Sequence, residues 1–515
     1  MHSQHFAIGA LAVAVLLIGP THAQCSNPWL ASFGSAQPDQ GVVAMTHWDP
    51  DGTGPAPRRL VIGGYFLNVG AMPANRVAAW DAASQSWSAV GTGISSFLAT
   101  VTAFATLPNG DLVAAGDFSI AGGVAAVDVA RWNGTAWSAL GSGSNSVVYA
   151  LATLPNGHLV AGGLFTTMGG VSASSIARWN GTTWSAMGSG LSSASGVSNV
   201  GAMRVLPNGD LVVGGGFEDA GGVATENLAR WNGTTWSAFG PATGGAVNAM
   251  VVLRNGDLVI GGSFTSVGGV PANRIAYWNG ATWSALGAGM NDTVTSLTLL
   301  PNGDVVAGGT FTTAGGTPAN HVARWNGSSW SAFGPGTGFF VLALETLANG
   351  DVAVGGVFTS AGGTGISHFA RLTTTCPATA VPAGLGCPSS GGSNSLVATT
   401  LPWVATTFQA TGTGLPANAL VVTATSFTQI PQGAEPLLGV FPQAGPGCDA
   451  LVRPDILGVV STTTGTAQSS FFLPNVPPLV GLTFYHQMVP IEIGPQGDWI
   501  AITATNALAL TAGMF

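Results

Sequence analysis

Seven polar residues occupy the same place in a repeated stretch of this chain, and side chains of these types bind ligands. Each comes directly before an apolar residue that is followed by Ala, and successive members are 47 or 52 residues apart. They are Arg76, Asp128, Ser175, Asn227, Arg274, His321 and His368. Polar residues that vary within an otherwise constant repeat are typical of a binding surface. We predict ligand-binding roles for all of them except Ser175; the alternative is that they are solvated residues at the starts of strands.

Local motifs for catalysis or for metal binding do not occur in the sequence. There is no Ser/His/Asp elbow, no paired-carboxylate motif, no phosphate loop and no His-x-x-x-His pattern. Asp49-Pro-Asp51-Gly resembles the start of a calcium loop, but the later ligands are missing, which favours an enlarged hairpin. The sequence therefore predicts no cofactor and no metal. An enzyme stays possible, because catalytic residues can come from distant segments.

The charge composition argues against a nucleic-acid partner. Charged residues make up 6% of the 515 residues, the net charge is −9, and all twelve cations are arginines. Affinity for nucleic acid comes largely from clustered Lys and Arg, which this chain does not have.

The elements that position the polar residues are short strands joined by turns. A complete repeat runs from Val247 to Gly287: an apolar run, Arg254-Asn-Gly-Asp257, Leu-Val-Ile-Gly-Gly-Ser-Phe264, a Gly-rich loop, Ile275-Ala-Tyr-Trp278, Asn-Gly, and Trp283-Ser-Ala-Leu-Gly287. Asn-Gly pairs favour tight hairpins, so the repeat predicts four antiparallel strands. The Gly-Gly pair predicts close approach of a neighbouring backbone. His158 stands where most repeats have the turn Asp, and we expect it to be exposed.

One copy of the repeat is divided between distant parts of the chain. A Gly-Gly-x-Phe-like element occurs seven times, once as Ala-Gly-Asp-Phe118, and Trp-Ser-Ala-x-Gly only six times, the last at Trp330. The missing piece is Trp29-Leu-Ala-Ser-Phe-Gly34. Four-stranded units repeated in a closed ring form a β-propeller. We therefore predict an all-β, seven-bladed propeller whose early strand closes the last blade. Its bulky Trp and Phe side chains should fill the gaps between blades.

Ring closure also predicts the cysteine pairing. Cys376 takes the place of Ser329, just before the fourth strand, and Cys25 lies just before Trp29. A Cys25–Cys376 disulfide would replace the missing hairpin, which leaves Cys387 and Cys448 as a second pair. Arg204 and Glu345 take equivalent places on the innermost strands of two blades; they either bind a polar ligand in the central channel or line a solvated wall.

The repeat resembles the Kelch family. The Gly-Gly pair, the third-strand aromatic and a Trp about six residues later carry the resemblance, with Trp80-Asp-Ala-Ala-Ser-Gln-Ser-Trp87 nearest to the Kelch spacing. The Arg-Trp-Asn-Gly-x-x-Trp-Ser form also resembles secreted bacterial propellers and a fungal cortical polarity-marker family. A Kelch propeller followed by a β-sandwich is the plan of galactose oxidase. However, the copper site that this resemblance implies is missing, because the sole Tyr-His pair, Tyr485-His486, lies outside the repeats.

The ends of the chain complete the predicted organisation. Residues 1–23 contain a short apolar run and a small-x-small exit, which is typical of a signal peptide. We predict a propeller over residues 24–375 and a β-sandwich over residues 376–515, in a secreted or cell-envelope monomer with no membrane span. The predicted function is that of a binding or structural scaffold for an extracellular glycan or protein. The alternative is a secreted polysaccharide hydrolase or lyase with its site on the variable-loop face.

Overall fold

In a computed structural model, the protein forms two compact units, one within residues 27–374 and the other within residues 375–515. It describes residues 29–30, 36–51, 57–373, 379–400, 402, 407–417, 419–430, 437, 444, 448–453, 455–462, 464–473, 482–493, 495 and 499–511. The predicted signal peptide, Cys25 and Cys376 lie outside these residues. None of the described residues forms a helix long and apolar enough to cross a membrane.

The first unit consists of seven antiparallel sheets of four strands, here called blades one to seven. Blade one begins at Val42 and blade seven at Val341. The innermost strands are Val42–Trp48, Thr100–Thr106, Val148–Thr153, Asn199–Val205, Val247–Val252, Val294–Leu299 and Val341–Thr346. The second strands are Arg59–Gly64, Leu112–Asp117, Leu159–Gly163, Leu211–Gly216, Leu258–Gly262, Val305–Gly309 and Val352–Gly356.

The two outer strands of each blade complete the sheets. The third strands are Val77–Asp81, Val129–Trp132, Ile176–Trp179, Leu228–Trp231, Ile275–Trp278, Val322–Trp325 and Phe369–Leu372. The fourth strands are Ser86–Ala89, Trp137–Ala139, Trp184–Ala186, Trp236–Ala238, Trp283–Ala285, Trp330–Ala332 and, for blade seven, Trp29–Leu30.

Short two-residue strands lie in the loops after the second strands and in two connections between blades. The pairs in the loops are 68–69 with 72–73, 120–121 with 124–125, 167–168 with 171–172, 219–220 with 223–224, 266–267 with 270–271, and 313–314 with 317–318. Residues 94–95 and 191–192 add a third strand to two of these hairpins.

The early strand closes the ring, as predicted. Trp29 pairs with Leu372 and Leu30 with Arg371 in antiparallel register, which completes blade seven. Each innermost strand contacts the innermost strands of the two neighbouring blades, and that of blade seven contacts that of blade one. The predicted all-β propeller is confirmed, and its described residues form seven four-stranded sheets.

The repeated aromatic residues join adjacent blades. All seven Phe residues that follow the second strands are buried; they are Phe66, Phe118, Phe165, Phe217, Phe264, Phe311 and Phe358. The indole Nε1 of a fourth-strand Trp donates to a carbonyl of the preceding blade at 2.8 Å in five blades: Trp137 to Val90, Trp184 to Leu140, Trp236 to Met187, Trp330 to Leu286 and Trp29 to Phe333. Trp29 of blade seven thus binds blade six in the same way as the other four Trp residues bind the blades that precede theirs.

The Gly-Gly pair provides space for close packing, as blade five shows. A Cβ on Gly261 would lie 2.5 Å from Val294 of the next blade, and one on Gly262 would lie 2.1 Å from the carbonyl oxygen of Ala246. Contacts this short do not occur between real atoms, so larger residues would displace the backbone.

The ring has two faces. The connection face carries the loops between second and third strands and the connections between blades. The hairpin face carries the two hairpins of blades one to six and the single hairpin of blade seven. On the hairpin face the turn Asn binds the turn Asp, for example Asn109 Nδ2 to Asp111 Oδ2 at 2.8 Å. In four blades that Asp also pairs with a third-strand Arg: Asp111 with Arg131, Asp210 with Arg230, Asp304 with Arg324 and Asp351 with Arg371.

The second unit has two antiparallel sheets that share a hydrophobic core. One has the order Thr379–Ala383, Ala507–Thr511, Thr483–Ile493, Leu420–Ser426 and Ile456–Ser461, with Trp499–Ile502 also paired to the third of these; the other has the order Ser395–Ala398, Thr407–Thr413 and Ala467–Phe472. A hairpin of residues 388–389 and 392–393 lies beside them. Phe408 and Met488, from different sheets, belong to the same buried cluster.

The structure confirms one predicted disulfide in this unit and places the Tyr-His pair. Cys387 and Cys448 are bonded. His486 lies in the central strand of the larger sheet, where Thr425 Oγ1 and Ser469 Oγ each lie 2.8 Å from a ring nitrogen. Burial lowers the pKa of His486 to about 4, so the ring is neutral at pH 7 and is held by two hydroxyls.

Candidate binding surface

The seven polar positions lie on the connection face, one in each blade, directly before the third strand. All seven have left-handed backbone conformations, with φ between 60° and 74°. Each amide donates to the carbonyl of the buried Phe, and each carbonyl accepts from a Gly amide of the second strand. In blade six, His321 N donates to Phe311 O at 2.8 Å and Gly309 N donates to His321 O at 3.0 Å.

Sequence reasoning missed this conformation because glycine, its usual signal, is absent from all seven positions. Left-handed backbone costs a non-glycine residue about 1–2 kcal/mol, although Asn, Asp and His tolerate it better than most. Glycine would meet the backbone requirement without that cost. A side chain is nevertheless present in every blade, so its role has to be sought in its own contacts.

In blades two to four, these side chains bind the connection that leads to the next blade. Asp128 accepts from Ser144 Oγ at 2.7 Å and from the amide of Phe118 at 3.1 Å. Ser175 Oγ donates to Ser198 O at 2.9 Å, and Asn227 Nδ2 donates to Thr243 O at 3.1 Å. Burial is the main cause that raises the pKa of Asp128, and the charge of the nearby Asp117 adds to it.

In blades five, six, seven and one, the corresponding residues are Arg274, His321, His368 and Arg76. Arg76 Nε donates to Ala99 O at 2.9 Å, and Arg274 Nη1 donates to Phe264 O at 3.2 Å. The Nδ1 atoms of both histidines are buried without a hydrogen-bond partner. Burial lowers the pKa of His321 and of His368, so both rings are neutral at pH 7.

Two acids in the connections join these four residues in pairs. Asp292 interacts electrostatically with Arg274 and with His321, and Asp39 with Arg76 and with His368. Burial opposes ionisation of Asp39, but hydrogen bonds from the Asn68 side chain and from the amides of Asn68 and Leu67 lower its pKa overall. The four residues therefore fall into two pairs, one in blades five and six and the other in blades seven and one. None of the described hydrogen bonds or ion pairs joins one of them directly to another.

The charges divide the connection face into two halves. Blades two to four carry acids there, and their described residues include no Arg or His on this face; the acids are Asp117, Asp128, Glu218, Asp219 and Glu226. Blades five, six, seven and one carry the two Arg and two His residues together with Asp39 and Asp292. A partner would therefore meet an acidic half and a mixed half.

Exposed apolar side chains project from the same face. In the connection between blades one and two, Phe97 is 94% exposed and Leu98 is 76% exposed. Val197 projects from the longer connection between blades three and four, and Phe339 from the connection between blades six and seven. Phe339 stacks on Phe340 with ring centroids 4.0 Å apart.

The connection face holds nearly all the exposed large apolar residues described in the propeller. The others on it are Tyr65, Leu67, Ile120, Val124, Val127, Tyr149, Val171, Val223 and Val270, and the exception elsewhere is Leu30. Sequence reasoning missed this distribution. The available signal was the presence of Phe, Leu and Val inside Gly- and Ser-rich connections.

Arg204 and Glu345 lie on innermost strands that surround the central channel, as predicted, and the structure adds His47. The Nε2 atom of His47 is 3.6 Å from Glu345 Oε1. The side chains of Arg204 and Glu345 reach solvent in the channel, but many protein atoms lie around them. This burial is the main cause of their pKa shifts. Burial raises the pKa of Glu345 and lowers that of Arg204, while the attraction between the two charges opposes both shifts.

Two remaining predicted features lie on the hairpin face. Asp49 forms an ion pair with Arg58 at 3.7 Å, and residues 52–56 of its loop are outside the described residues. His158 is half-buried, so the expected exposure is only partial. A groove of about 530 Å³ also lies between blades five and six, lined by Leu253, Tyr277, Leu286, Asp304 and Trp325 among others.

Two family models match parts of the propeller. Residues 53–208 match the Rax2 C-terminal beta propeller domain. Residues 253–276 and 300–328 match the beta-propeller domain of unknown function DUF5122. Both are propeller models, as the resemblance to Kelch-like repeats implied for the fold, and the Kelch assignment itself stays a prediction. No curated protein sequence matches the chain.

Solved structures that align with most of this chain include two extracellular domains from B. thetaiotaomicron. One belongs to BT3049, assigned as a hybrid two-component system, with 10% identity, a TM-score of 0.24, and coverage of 92% of this chain and 72% of that one. The other belongs to BT4673, assigned as a one-component system, with 8% identity, a TM-score of 0.24, and coverage of 94% and 76%. These likenesses say nothing about the function of this chain.

Proposed function

We propose that this protein is an exported scaffold that binds a partner outside the cell with its connection face. The observation that carries the proposal is the concentration of exposed apolar side chains on that face. Contiguous exposed apolar surface marks interaction sites in soluble proteins. The seven polar positions, including the predicted ligand-binding residues, lie on the same face.

A protein partner is the occupant that this surface favours. Phe97, Leu98 and Val197 combine aromatic and aliphatic groups, as the apolar centres of protein interfaces do. A glycan would stack on the aromatic rings but would gain little from Leu98 and Val197. The Arg and His residues of the mixed half supply the polar rim.

Export is supported by the Cys387–Cys448 disulfide, because disulfides persist in oxidising compartments. The predicted signal peptide over residues 1–23 is in keeping with this. The same proposal includes a propeller over residues 24–375, a β-sandwich over residues 376–515, and a Cys25–Cys376 bond that fixes the closing strand. Peptide mapping without reduction would test that bond, and recovery of Cys25 joined to Cys387 would contradict it.

The test of binding is a comparison of the two faces. A triple variant, Phe97→Ser, Leu98→Ser and Phe339→Ser, removes three exposed apolar side chains of the connection face without touching the core. The matched control changes exposed turn residues of the hairpin face, Thr182→Ala and Thr234→Ala. Binding to the exported proteins of the source cell and to a glycan array would be measured by interferometry, together with analysis of the glycans for cleavage products.

We expect the triple variant to weaken binding to an exported protein more than tenfold, since hot spots cluster at buried apolar anchors, and the control to leave it unchanged. Equal binding by both variants would refute the assignment of this face. Binding only to glycans would replace the protein partner by a glycan, and cleaved glycan products would favour the hydrolase or lyase alternative.

A further inference from the structure

Blade three departs from the charge pairing of the hairpin face. Four blades pair a third-strand Arg with the turn Asp, and blade one pairs Arg59 with Asp81 at 3.7 Å. In blade five, Tyr277 takes the place of the Arg and its hydroxyl donates to Asp257. In blade three the third-strand residue is Arg178, but the turn residue is His158, so two basic side chains occupy the place of an ion pair.

The backbone holds His158 where the other blades hold their Asp. The amide of His158 donates to Asn156 Oδ1 at 3.1 Å, as the amide of Asp210 donates to Asn208 Oδ1 at 3.1 Å in blade four. Val160 pairs with Arg178 in the register in which Val212 pairs with Arg230. The two blades therefore differ in the side chain at this turn while sharing the hydrogen bond that positions it.

Both basic groups lack the partner that this arrangement supplies elsewhere. Arg178 Nε and His158 Nδ1 are buried without hydrogen-bond partners. Arg230 also leaves its Nε unpaired, but its Nη2 binds Asp210. None of the acidic side chains in the described ranges lies within 4.0 Å of Arg178. A buried donor without a partner is costly, and an incoming acceptor would remove that cost.

We propose that blade three binds an oxyanion between Arg178 and His158, and that the site is fitted to a carboxylate group. The planar guanidinium donates two parallel hydrogen bonds to a carboxylate, and the imidazole adds an N–H donor. The size of the proposed site in blade three is inferred from blade four, where the Asp210 carboxylate occupies the corresponding place beside Arg230. The site lies on the hairpin face, so it is independent of the partner proposed for the connection face.

The test uses the full chain labelled with ¹³C at histidine. The Cε1–H resonance of His158 is identified by its loss in His158→Asp. Sodium acetate is then titrated against sodium chloride at constant ionic strength, with glucuronate and sulfate in parallel and glucose as the neutral probe. We expect acetate and glucuronate to shift the His158 resonance in a saturable way. The shift should be half complete on the order of 10 mM, as for one charge-assisted contact. Glucose should cause no shift.

Three variants separate this site from general salt effects. Arg178→Gln should reduce the acetate-dependent shift at least fivefold. Arg230→Gln, at a position where Asp210 is already the partner, should leave it unchanged. His158→Asp supplies the carboxylate internally, so acetate should raise its Tm less than that of the wild type.

A shift that does not saturate, or one that Arg178→Gln leaves intact, would overturn the site. Saturation by sulfate at lower concentration than by acetate would overturn its fit to a carboxylate. An equal rise of Tm with acetate in wild type and His158→Asp would show that the anion acts elsewhere.

Discussion

The two faces of the propeller use polar residues in opposite ways. On the hairpin face, charged side chains bind one another: Asp351 is 2% exposed and bonds to Arg371 and Asn349. On the connection face, Arg76 and Arg274 bind only backbone carbonyls and make no direct ion pair within 4.0 Å among the described residues. Apolar side chains such as Phe97 are exposed beside them.

The difference shows where stability and recognition are located in a repeat protein. Residues that recur in most blades, such as the turn Asp and the third-strand Arg, bind one another in four blades and stabilise those sheets. The position before the third strand varies from blade to blade. Its left-handed backbone favours glycine, yet none of the seven blades has glycine there. A requirement other than folding therefore accounts best for the side chains that make few contacts, such as those of His321 and His368.

The largest effect that would sharpen this comparison is expected on the hairpin face. Asp351→Ala removes a buried carboxylate and leaves Arg371 without its partner, so the free energy of unfolding should fall by about 2–3 kcal/mol. The matched control, Asp117→Ala, removes an exposed acid of the connection face and should change stability by less than about 0.5 kcal/mol. Urea denaturation measures both, and similar losses from the two variants would break the distinction between the faces.

A smaller effect should distinguish the two halves of the connection face. Asp128→Gly loses the bonds from Ser144 and from the Phe118 amide, so stability should fall by about 1–2 kcal/mol. His368→Gly relieves left-handed strain at φ 63° and should leave stability unchanged or raise it by about 0.5 kcal/mol. Urea midpoints decide this, with His368→Ala as the control that keeps the strain. A loss from His368→Gly as large as that from Asp128→Gly would show that His368 is also a structural tether.

The smallest effect concerns pH. Burial lowers the native-state pKa of His321 and His368, against the opposing charges of Asp292 and Asp39. The unfolded chain therefore binds protons first, and the stability of the propeller should fall as pH drops below the ordinary histidine value of about 6.5. A double variant, His321→Asn and His368→Asn, should weaken this dependence. Denaturation at several pH values between 4 and 8 checks it, and an undiminished slope in the double variant would assign the dependence to other groups.

The sequence was sufficient for the fold because its evidence repeats. Trp29 could be assigned to blade seven because six other Trp residues define the fourth strand. The candidate positions were also found by alignment of the copies. The Cys387–Cys448 bond followed from placing the other two cysteines at the closure.

The contacts around the site could not be predicted in the same way. Asp39 and Asp292 lie in connections that differ in sequence and length, so alignment of the repeats gives no partner for them. The left-handed backbone has no residue signature here, because Arg and Ser adopt it alongside Asn. His47 was missed because the aligned partner of Glu345 in blade one is Thr46, and the imidazole reaches Glu345 only across the boundary between two blades.

The pairing of Trp29 with Leu372 has a consequence for how the protein is made. The strand that completes the ring is synthesised before any blade, and its partner only after six blades have been completed, 343 residues later. Closing so long a loop in an unfolded chain would cost about 5 kcal/mol of entropy, but folded blades bring the two ends together beforehand. Assembly should therefore proceed as an open arc that seals last. In such an arc, blade seven lacks its fourth strand and the boundary between blades seven and one is open, so a protease or a chaperone would find the unfinished molecule there.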